Sequence, residues 1–532
     1  MSEHSKAKVV ICEGPIQVKK YMAIADRLPN LAAIVMYGAP ESEMPAKTAG
    51  TVPIIYMDAF LKKGSEVPDA ELAARVAAQK PGQCCTLIYT SGTTGNPKAV
   101  MISHDNLCWT SATMLNNNVP RPLGPEDSLI SYLPLSHIAA QMLDLHCPIV
   151  TGSQIWFAQP DALRGTLGIT LKYVRPTIFF GVPRVWEKIY EKMQAVAKEN
   201  NKSFLKRHIG AYAKGKGLAK NQAAQFGSGQ TEQALGFLPR KVLGKIRQAL
   251  GLDRCICCYT GAAPIERKVL DYFASIDVPI LELFGQSECT GPHTVNTHKA
   301  WKIGTCGRPM PGTESKIDEE TGELCYRGRH IFMGYMYMED KTEETIDKDG
   351  WLHSGDVVKF DADEDPDVTG PSGFMSITGR IKELIITAGG ENIPPVMIEN
   401  EFKAAMPALS NCMVIGDKRK FLSICLTLFL VIDDEGKPTD KLDGESLATS
   451  KAIGSSATTA KEAQTCAMWT KYFDDGMKVA NSKTTSRAQS IAKYTLLDTD
   501  FTEPTGELTP TLKLKRTVAA DNHSVAVEAM YA

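Results

Sequence analysis

No stretch of this 532-residue sequence is apolar for long enough to cross a membrane. The longest apolar run, residues 421–432, has about a dozen residues, whereas a membrane-spanning helix needs about 20. This run predicts a buried strand instead. An excess of either charge is also missing, since 59 Lys and Arg stand against 61 Asp and Glu. The total charge therefore gives no reason to expect a nucleic-acid partner.

Paired metal-ligand spacings and targeting signals are missing as well. The 14 cysteines do not form two Cys-x-x-Cys halves, because Cys255-Ile256-Cys257-Cys258 has no second half. A structural zinc site is therefore not expected. The start carries no secretory signal and the end no peroxisomal or prenyl signal. We expect a cytoplasmic protein with reduced thiols.

Apolar, β-prone runs alternate with helical patterns, which indicates an α/β fold with largely parallel sheets. Strands are predicted at 31–37, 52–57, 128–133, 154–158, 177–180, 254–260 and 278–283. Helices are predicted at 70–79, 137–150, 164–174, 184–200 and 264–276. After Gly379 the composition changes, and the remainder predicts a separate small α+β domain.

A loop rich in hydroxyls and glycine follows the predicted strand 84–89 and precedes a predicted helix that starts at the capping residue Ser103. Glycines let backbone N–H groups approach an anion, and hydroxyls and a lysine add donors and charge. The loop therefore predicts a phosphate site, although a Ser/Thr/Gly-rich surface turn has the same composition. It consists of Thr90, Ser91, Gly92, Thr93, Thr94, Gly95, Asn96, Pro97 and Lys98.

Three further places combine a strand end with a chemically useful side chain. Glu288 follows a buried strand, where open α/β sheets bind ligands, and its carboxylate is the hard oxygen ligand that Mg²⁺ prefers. Asp356 follows a turn, and a carboxylate there can accept both ribose hydroxyls. His137 starts a predicted helix, where a lone histidine is more often bonded to backbone.

These motifs, in this order, resemble the AMP-forming acyl-adenylating enzymes, which include acyl-CoA synthetases, luciferases and peptide-synthetase adenylation domains. The resemblance covers about residues 84 to 516. Four stretches resemble the bubblegum-type long-chain acyl-CoA synthetases more closely: 284–293, 331–335, 384–395 and 506–511. Three motif positions depart from the family pattern, with Phe284 for Tyr and with Ser287 and Ser354 each for Thr; these changes keep the ring or the hydroxyl.

The resemblance implies a large multi-sheet domain over 1–379, a hinge at 380–383 and a small mobile domain over 384–532. Family members carry a long segment before the phosphate loop, and only about 88 residues precede it here. We therefore expect a front part of the large domain to be missing. The hinge residue would be Lys382, and the loop with Gly389 and Gly390 would enter the site for the thioester step.

The resemblance also implies the residues that bind ATP. The loop 90–98 would hold the pyrophosphate portion, Glu288 the Mg²⁺, and Asp356 with Arg380 the ribose. Lys513, with Lys515 as the second choice, would neutralise charge in the adenylating transition state. The walls of the adenine and acyl pocket would come from Gly261, Ala262, Glu282, Leu283, Phe284, Gly285, Gln286 and Ser287.

The implied function is ATP-dependent ligation of a long-chain fatty acid to coenzyme A, with Mg²⁺ as cofactor and an acyl-AMP intermediate. The resemblance also implies a place for His137 beside the carboxylate substrate, and this interpretation and the backbone one both stay open. Two alternatives stay open: an adenylating enzyme that uses another acceptor, and an inactive, truncated relative that only binds. Residues 188–247 carry 13 Lys and Arg against 3 Asp and Glu. This segment predicts either a solvated helical face or a peripheral contact with a membrane, for example the endoplasmic reticulum.

Overall fold

The computed structural model describes residues 1–90, 97–200, 204–231, 233–361, 373–386, 392–433, 436–484, 486–509 and 514–532; at 164, 198–200, 382, 386 and 392 it describes the backbone alone. The fold is α/β with many sheets, as predicted. The chain divides into two compact units, unit 1 with residues 1–106 and 332–342, and unit 2 with residues 107–331 and 343–532. The prediction of a hinge at 380–383 between a large and a small domain stays a prediction.

Unit 1 is built on a four-stranded sheet and a separate hairpin. The sheet has the order β1-β2-β4-β3, and its first three strands run parallel. Its core is aliphatic and includes Val18, Ile34 and Met36. The elements are β1 Val9–Glu13, α1 Gly14–Met22, β2 Ala33–Tyr37, β3 Thr48–Ala49, β4 Val52–Tyr56, α2 Met57–Gly64, α3 Asp69–Ala77, β5 Cys84–Thr90 and β6 Lys98–Ser103.

The sequence predicted that the loop leads directly from a strand into a helix, and this prediction is wrong in one element. A second strand, β6, follows the loop and pairs antiparallel with β5, with Thr90 opposite Lys98. The loop therefore closes a hairpin. The helix does begin after Ser103, whose Oγ accepts the N–H of Asn106 at 3.1 Å while the Asn106 Oδ1 accepts the N–H of Ser103 at 2.9 Å.

Unit 2 contains a five-stranded sheet, a four-stranded antiparallel sheet and a smaller C-terminal sheet. Its strands are β7 Ser128–Ser131, β8 Gln154–Phe157, β9 Ile178–Phe180, β10 Cys257–Thr260, β11 Ile280–Gln286, β12 Gly291–Val295, β13 Arg308–Pro309, β14 Glu314–Ile317, β15 Glu323–Arg327, β16 Leu352–Phe360, β17 Met375–Arg380, β18 Ile385–Ile386, β19 Asn392–Ile393, β20 Leu409–Ile415, β21 Leu422–Leu428, β22 Leu430–Ile432, β23 Pro438–Leu442 and β24 Ile491–Leu496.

The α-helices that remain connect these strands. They are α4 His104–Asn117, α5 Ile138–Ala140, α6 Cys147–Thr151, α7 Leu167–Val174, α8 Pro183–Asn200, α9 Phe204–Ala223, α10 Phe237–Leu250, α11 Arg267–Ser275, α12 Glu339–Thr345, α13 Pro395–Ala405, α14 Gly444–Ala452, α15 Ala460–Thr465, α16 Ala467–Asn481, α17 Arg516–Asn522 and α18 Ser524–Ala529. The predicted helix 137–150 is α5 and α6 joined by a π-helix, Gln141–His146. No described helix is both long and apolar enough to span a bilayer.

The sheets are less parallel than predicted. In the five-stranded sheet β9, β10 and β11 run parallel, but β12 and β13 run antiparallel to their neighbours. The sheet of β14 to β17 is antiparallel throughout. The predicted strand 421–432 is two strands, and the first of them, β21, is buried along its whole length. Hydrophobic runs indicate a buried strand without indicating the direction of its partner.

Asp500 ties the C-terminal sheet together. Its buried carboxylate accepts hydrogen bonds from the Ser410 hydroxyl at 2.6 Å and the Asn411 amide at 2.9 Å. It also accepts from the Thr427 hydroxyl at 2.6 Å and the Phe501 N–H at 2.8 Å. One acid therefore satisfies four donors on β20, β21 and the segment after β24.

Replacing Asp500 with Ala is expected to lower the free energy of unfolding by about 3 kcal/mol, because the buried donors lose their acceptor. Urea unfolding followed by tryptophan fluorescence measures the change. The control is Asp498→Ala, since the half-exposed Asp498 lies 3.8 Å from Lys461 and should change stability by about 0.5 kcal/mol or less. Equal losses in the two variants would contradict the assignment.

Candidate active site

Three parallel strands of unit 2 end at one edge of the five-stranded sheet. In the β10–β11 register Thr260 lies opposite Glu282, and in the β10–β9 register Tyr259 lies opposite Phe180. The loop after β9 is fixed because the Gly181 N–H donates to the Tyr259 carbonyl at 2.9 Å. The segments after β9 and β10 therefore start side by side, and β11 continues past them to Gln286, at the edge where parallel sheets bind ligands.

The turn after β10 contains the predicted pocket residues Gly261 and Ala262. A Cβ at Gly261 would lie 2.8 Å from the Leu283 Cδ1 and 3.0 Å from the Leu283 carbonyl oxygen. Ala262 has a φ of 73°, which is rare for a residue with a side chain and typical of functional turns. Small residues are thus required here by the approach of β11.

The end of β11 carries the predicted motif from Glu282 to Glu288. Burial raises the pKa of Glu282 to about 8, although the Gly304 N–H donates to this carboxylate at 2.8 Å. A Cβ at Gly285 would lie 1.8 Å from the Gly291 carbonyl oxygen, so only glycine fits at the irregularity that joins β11 to β12. Ser287 and Glu288 follow in a 3₁₀ turn, in which Glu288 is buried.

A buried stack of rings that the sequence does not reveal supports this motif. The Gln286 amide donates to the Tyr326 hydroxyl at 2.7 Å, and the Tyr326 ring stacks on His293 with centroids 4.0 Å apart. The His293 Nδ1 lies 3.1 Å from the His330 Nε2. Burial lowers the pKa of both histidines, that of His330 to about 3, so the stack is uncharged near neutral pH.

The two predicted ribose residues face each other across β16 and β17. Asp356 lies opposite Arg380, and the Arg380 Nε donates to the Asp356 Oδ1 at 2.9 Å. Asp356 is the main cause of the raised pKa of Arg380, and Glu383 and then Glu288 add to it. Unit 2 therefore brings Glu288, Asp356 and Arg380 into one electrostatic group.

Beside this pair lies a trio that could ligate a metal, Glu323, Cys325 and His353, whose ligand atoms lie within 4.8 Å of one another. The geometry indicates a hydrogen-bonded network. The Glu323 Oε1 accepts the Gly355 N–H at 2.7 Å, and the Oε2 lies 2.8 Å from the His353 Nδ1. Burial raises the pKa of the Cys325 thiol to about 12, which disfavours the thiolate that a metal would need.

His137 has the backbone role that one reading of the sequence allowed. It is the N-cap residue of α5, and its Nδ1 accepts the Ala139 N–H at 3.2 Å. The role beside the substrate stays a prediction.

An acid that the sequence did not single out, Asp144, lies on the π-helix after α5. It lines a small apolar cavity with side chains of β7, β9 and α5. Burial raises the pKa of Asp144 to about 7, and a hydrogen bond with Ser131 opposes this in part.

The phosphate-loop prediction concerns unit 1, where the structure describes its two ends. Thr90 is the last residue of β5, Lys98 is the first of β6, and Pro97 precedes it. The Lys98 ammonium lies 4.5 Å above the centroid of the Tyr335 ring, a cation–π distance. The other loop residues, Ser91, Gly92, Thr93, Thr94, Gly95 and Asn96, lie outside the described residues.

Three more predicted residues lie outside the described residues. These are Gly389 and Gly390, predicted for the thioester step, and Lys513, predicted for the adenylating step. The backbone of Lys382 belongs to a 3₁₀ turn, Ile381–Glu383, directly after β17. Its role as a hinge stays a prediction.

Known proteins resemble this chain in sequence and in fold. The profile of the AMP-binding enzyme family matches residues 1–336. The long-chain-fatty-acid–CoA ligase ACSBG2 of Gallus gallus is 45% identical over 541 residues, which cover 100% of this chain and 69% of the relative. The long-chain-fatty-acid–CoA ligase ACSBG1 of Homo sapiens is 41% identical over 533 residues, which cover 99% and 71%.

Solved structures share the fold. The adenylation domain of a carboxylic acid reductase from Segniliparus rugosus, in complex with AMP and a carboxylic acid, matches with a TM-score of 0.68 at 20% identity, over 100% of this chain and 76% of that one. ATP-bound MatB from Rhodopseudomonas palustris matches with a TM-score of 0.60 at 20% identity, over 98% and 80%. At this identity the likeness concerns the fold alone, and it is the predicted acyl-adenylating fold.

The fold is that of the acyl-adenylating enzymes, and the chain belongs to the AMP-binding enzyme family. Its relatives by sequence are the bubblegum-type long-chain-fatty-acid–CoA ligases. The family predicted from the motifs is thereby confirmed.

The raised pKa of Asp144 gives a pH-dependent contribution to stability. The folded protein keeps this proton up to about pH 7, whereas the unfolded chain releases it near 3.8. The folded state therefore binds the extra proton in this window, and stability falls as pH rises from about 4 to about 7. Replacing Asp144 with Asn removes this loss, so its stability relative to the parent protein should rise across the window by at most about 4 kcal/mol.

Urea unfolding at several pH values between 4 and 8 measures this difference. The control is Gln141→Ala on the same π-helix, which changes no titratable group and should shift stability by an amount independent of pH. A stability difference for Asp144→Asn that stays constant over the whole range would contradict the assignment.

Proposed function

We propose that this protein is an ATP-dependent long-chain fatty acid–CoA ligase. The observation that carries the proposal is the pairing of Asp356 on β16 with Arg380 on β17, whose charge is also stabilised by Glu288 after β11, in a chain 38–45% identical along its length to proteins named long-chain-fatty-acid–CoA ligases. Buried acids beside one arginine suit a ligand that brings hydroxyls, phosphates and a counter-cation together.

The reaction has two halves. A carboxylate oxygen of the fatty acid attacks the α-phosphorus of ATP, the bond to the β-phosphate oxygen breaks, and acyl-AMP and pyrophosphate form. The CoA thiol then loses its proton and attacks the acyl carbon, and AMP leaves with the oxygen of the broken C–O bond. Both halves bring anions together, so fixed donors and cations are the main requirement.

Each half uses residues of this chain. Asp356 accepts the ribose hydroxyls and Arg380 holds Asp356. The loop 90–98 cradles the pyrophosphate portion, and Lys513 neutralises charge between carboxylate and α-phosphate. Glu288 is the ligand for Mg²⁺; the fit rests on a hard carboxylate oxygen at the strand edge, next to the proposed ribose pair. When bound, the ion would neutralise phosphate charge.

The small domain 384–532 would turn about Lys382 between the two halves. This turn replaces Lys513 with the loop of Gly389 and Gly390, past which the thin pantetheine arm of CoA can enter. It is a conformational gate between half-reactions.

Assays of the two products separate this proposal from its alternatives. Palmitate, ATP and Mg²⁺ should give pyrophosphate release, and adding CoA should give palmitoyl-CoA. Pyrophosphate release without a CoA thioester would favour another acceptor. Absence of both, in a folded protein that binds AMP, would favour a relative that only binds.

Lys513→Ala is expected to lower the rate of acyl-AMP formation at least a hundredfold, because the transition state loses its fixed cation. It should leave the thioester step from supplied palmitoyl-AMP within about twofold. Rapid-quench measurement of each half-reaction tests this. The matched control is Lys515→Ala, two residues on and exposed, which should leave both rates near the parent values. A loss in Lys515→Ala alone would transfer the role to Lys515.

The basic segment 188–247 supports a second proposal, a peripheral contact with an anionic membrane. Helices α9 and α10 pack together through Ala213 and Leu243. Asp277 binds Lys220 at 2.7 Å and Arg247 at 2.9 Å, so the C-terminal ends of the two helices meet there. Phe204 and Phe237 stand at the opposite, N-terminal ends of the two helices.

At those N-terminal ends apolar and basic side chains alternate in solvent. Phe204 is 69% exposed and Phe237 is 81% exposed, and each is followed by an exposed leucine. The Arg207 guanidinium lies 5.5 Å from the Phe204 ring and the Lys241 ammonium 5.9 Å from the Phe237 ring. Such a surface favours the interface of an anionic bilayer, where each Lys or Arg contributes about 1 kcal/mol.

The double substitution Phe204→Ala with Phe237→Ala is expected to weaken binding to vesicles about tenfold, since two rings no longer enter the interface. Sedimentation with vesicles of phosphatidylcholine, with and without phosphatidylserine, measures this. The control is Val525→Ala, which removes an 86%-exposed apolar side chain of α18. If the parent protein sedimented equally with both vesicle types, the result would favour the interpretation of this segment as a solvated helical face.

A further inference from the structure

Glu323 is a buried acid at the start of β15 that holds both sides of the proposed ribose turn. One carboxylate oxygen accepts the Gly355 N–H at 2.7 Å, and the other lies 2.8 Å from the His353 Nδ1. The residue between them in sequence, Ser354, is thus bracketed by a single carboxylate. Only 11% of the Glu323 side chain is exposed, so water competes little for these bonds.

The register of the sheet places Glu323 there. Cys325 lies opposite His353 in the β15–β16 pairing, and Glu323 lies opposite Val357, with an irregularity between the two pairs. Residues two apart on a strand share a face, so the Glu323 and Cys325 side chains lie on the face of His353. The irregularity leaves Ser354 and Gly355, between the paired residues His353 and Asp356, as a bend outside the registers with β15 and β17, and Glu323 holds Gly355 there instead.

The backbone of this bend needs such support. Gly355 has a φ of 75°, in the left-handed region. The Ser354 hydroxyl accepts the Asp356 N–H at 3.0 Å, which tightens the bend but does not tie it to the rest of the sheet. Asp356, the next residue after Gly355, is buried and bonded to Arg380. A shift of Gly355 would therefore move the Asp356 carboxylate directly.

His353 also connects Glu323 to the turn that precedes β16. Its Nε2 lies 3.6 Å from the Asp347 Oδ2, and the Asp347 Oδ1 accepts the N–H groups of Asp349 and Trp351, each at 2.9 Å. The other groups that face this imidazole are the Cys325 Sγ, 3.5 Å from the Nδ1, and Lys316, 3.8 Å from Asp347. The imidazole is thereby held from both sides.

We propose that Glu323 is a positioning residue for the nucleotide: it fixes Gly355 and His353 so that Asp356 meets the ribose hydroxyls. This inference rests on the proposed function, in which Asp356 binds ribose. Glu323 itself touches no substrate. Its loss should weaken the ribose contact selectively and leave the phosphate contacts unchanged.

Calorimetric binding of AMP and of 2′,3′-dideoxy-AMP tests this without requiring turnover. Asp356→Asn should weaken AMP binding about tenfold and change dideoxy-AMP binding less than twofold. Glu323→Gln, which keeps one acceptor for Gly355 but places an amide against His353, should show the same selectivity at about fivefold. The matched control is Glu314→Gln on the same sheet, where the carboxylate pairs with Arg327 at 2.7 Å and should affect neither ligand.

A second pair of variants covers the case in which Glu323→Gln unfolds. His353→Gln can still donate to Glu323 and should bind AMP like the parent protein, whereas His353→Leu should reproduce the selective loss. Equal weakening of both ligands by Glu323→Gln and His353→Leu would overturn the inference. If the parent protein bound both ligands equally, the ribose assignment would fail and the inference with it. A parent protein that discriminates between them but forms no acyl-CoA would refute the ligase proposal alone.

Discussion

The parallel pairing of β9, β10 and β11 is the constraint on which the candidate site of unit 2 depends. These strands are short and buried, and the Tyr259 carbonyl binds both the Gly181 N–H and the Trp186 indole N–H, at 2.9 and 3.2 Å. That single carbonyl sets where the chain leaves β9. This register places Gly261 and Ala262 beside β11, whose end leads to Glu288. The identity of the residues in the turns then follows from space, since a Cβ at Gly261 would lie 2.8 Å from the Leu283 side chain and one at Gly285 would lie 1.8 Å from the Gly291 carbonyl oxygen.

The charges near the proposed site include two buried acids and one arginine, and this excess of negative charge suits a ligand that binds together with cations. Asp356 and Glu288 are buried, and the described cation that both influence is Arg380. Two acids near a polyphosphate repel it unless cations accompany it. Mg²⁺ at Glu288 and a lysine such as Lys513 would supply that compensation. The requirement for a metal and a mobile lysine in the proposed reaction is thus consistent with the charges that unit 2 presents.

Local patterns in the sequence predicted much of the fold and the family. Apolar runs predicted β9, β10 and β11 of the five-stranded sheet but not β12 and β13, and Ser103 correctly marked the start of α4. The π-helix at 141–146 was not predicted, because an extra residue in a turn leaves the apolar periodicity nearly unchanged. Strand β6 was missed because the loop before it resembles the approach to a helix. Glu323 was missed for a different reason: its partner His353 is 30 residues away, and their contact depends on a sheet register that no local pattern records.

Another contact between residues far apart in the sequence, formed by Arg516, bears on how the proposed rotation would work. Arg516 lies three residues after Lys513 and binds Glu399 through both guanidinium ends, at 2.6 Å each. It also lies 3.4 Å from Glu383, at the end of the predicted hinge. Burial opposes the charge of Arg516, yet the two acids raise its pKa, so the guanidinium keeps its charge. Arg516 is therefore fixed to α13, which follows the predicted hinge in sequence. A rotation about Lys382 would then move Lys513 with the small domain as one body, as the exchange of Lys513 for the Gly389–Gly390 loop requires.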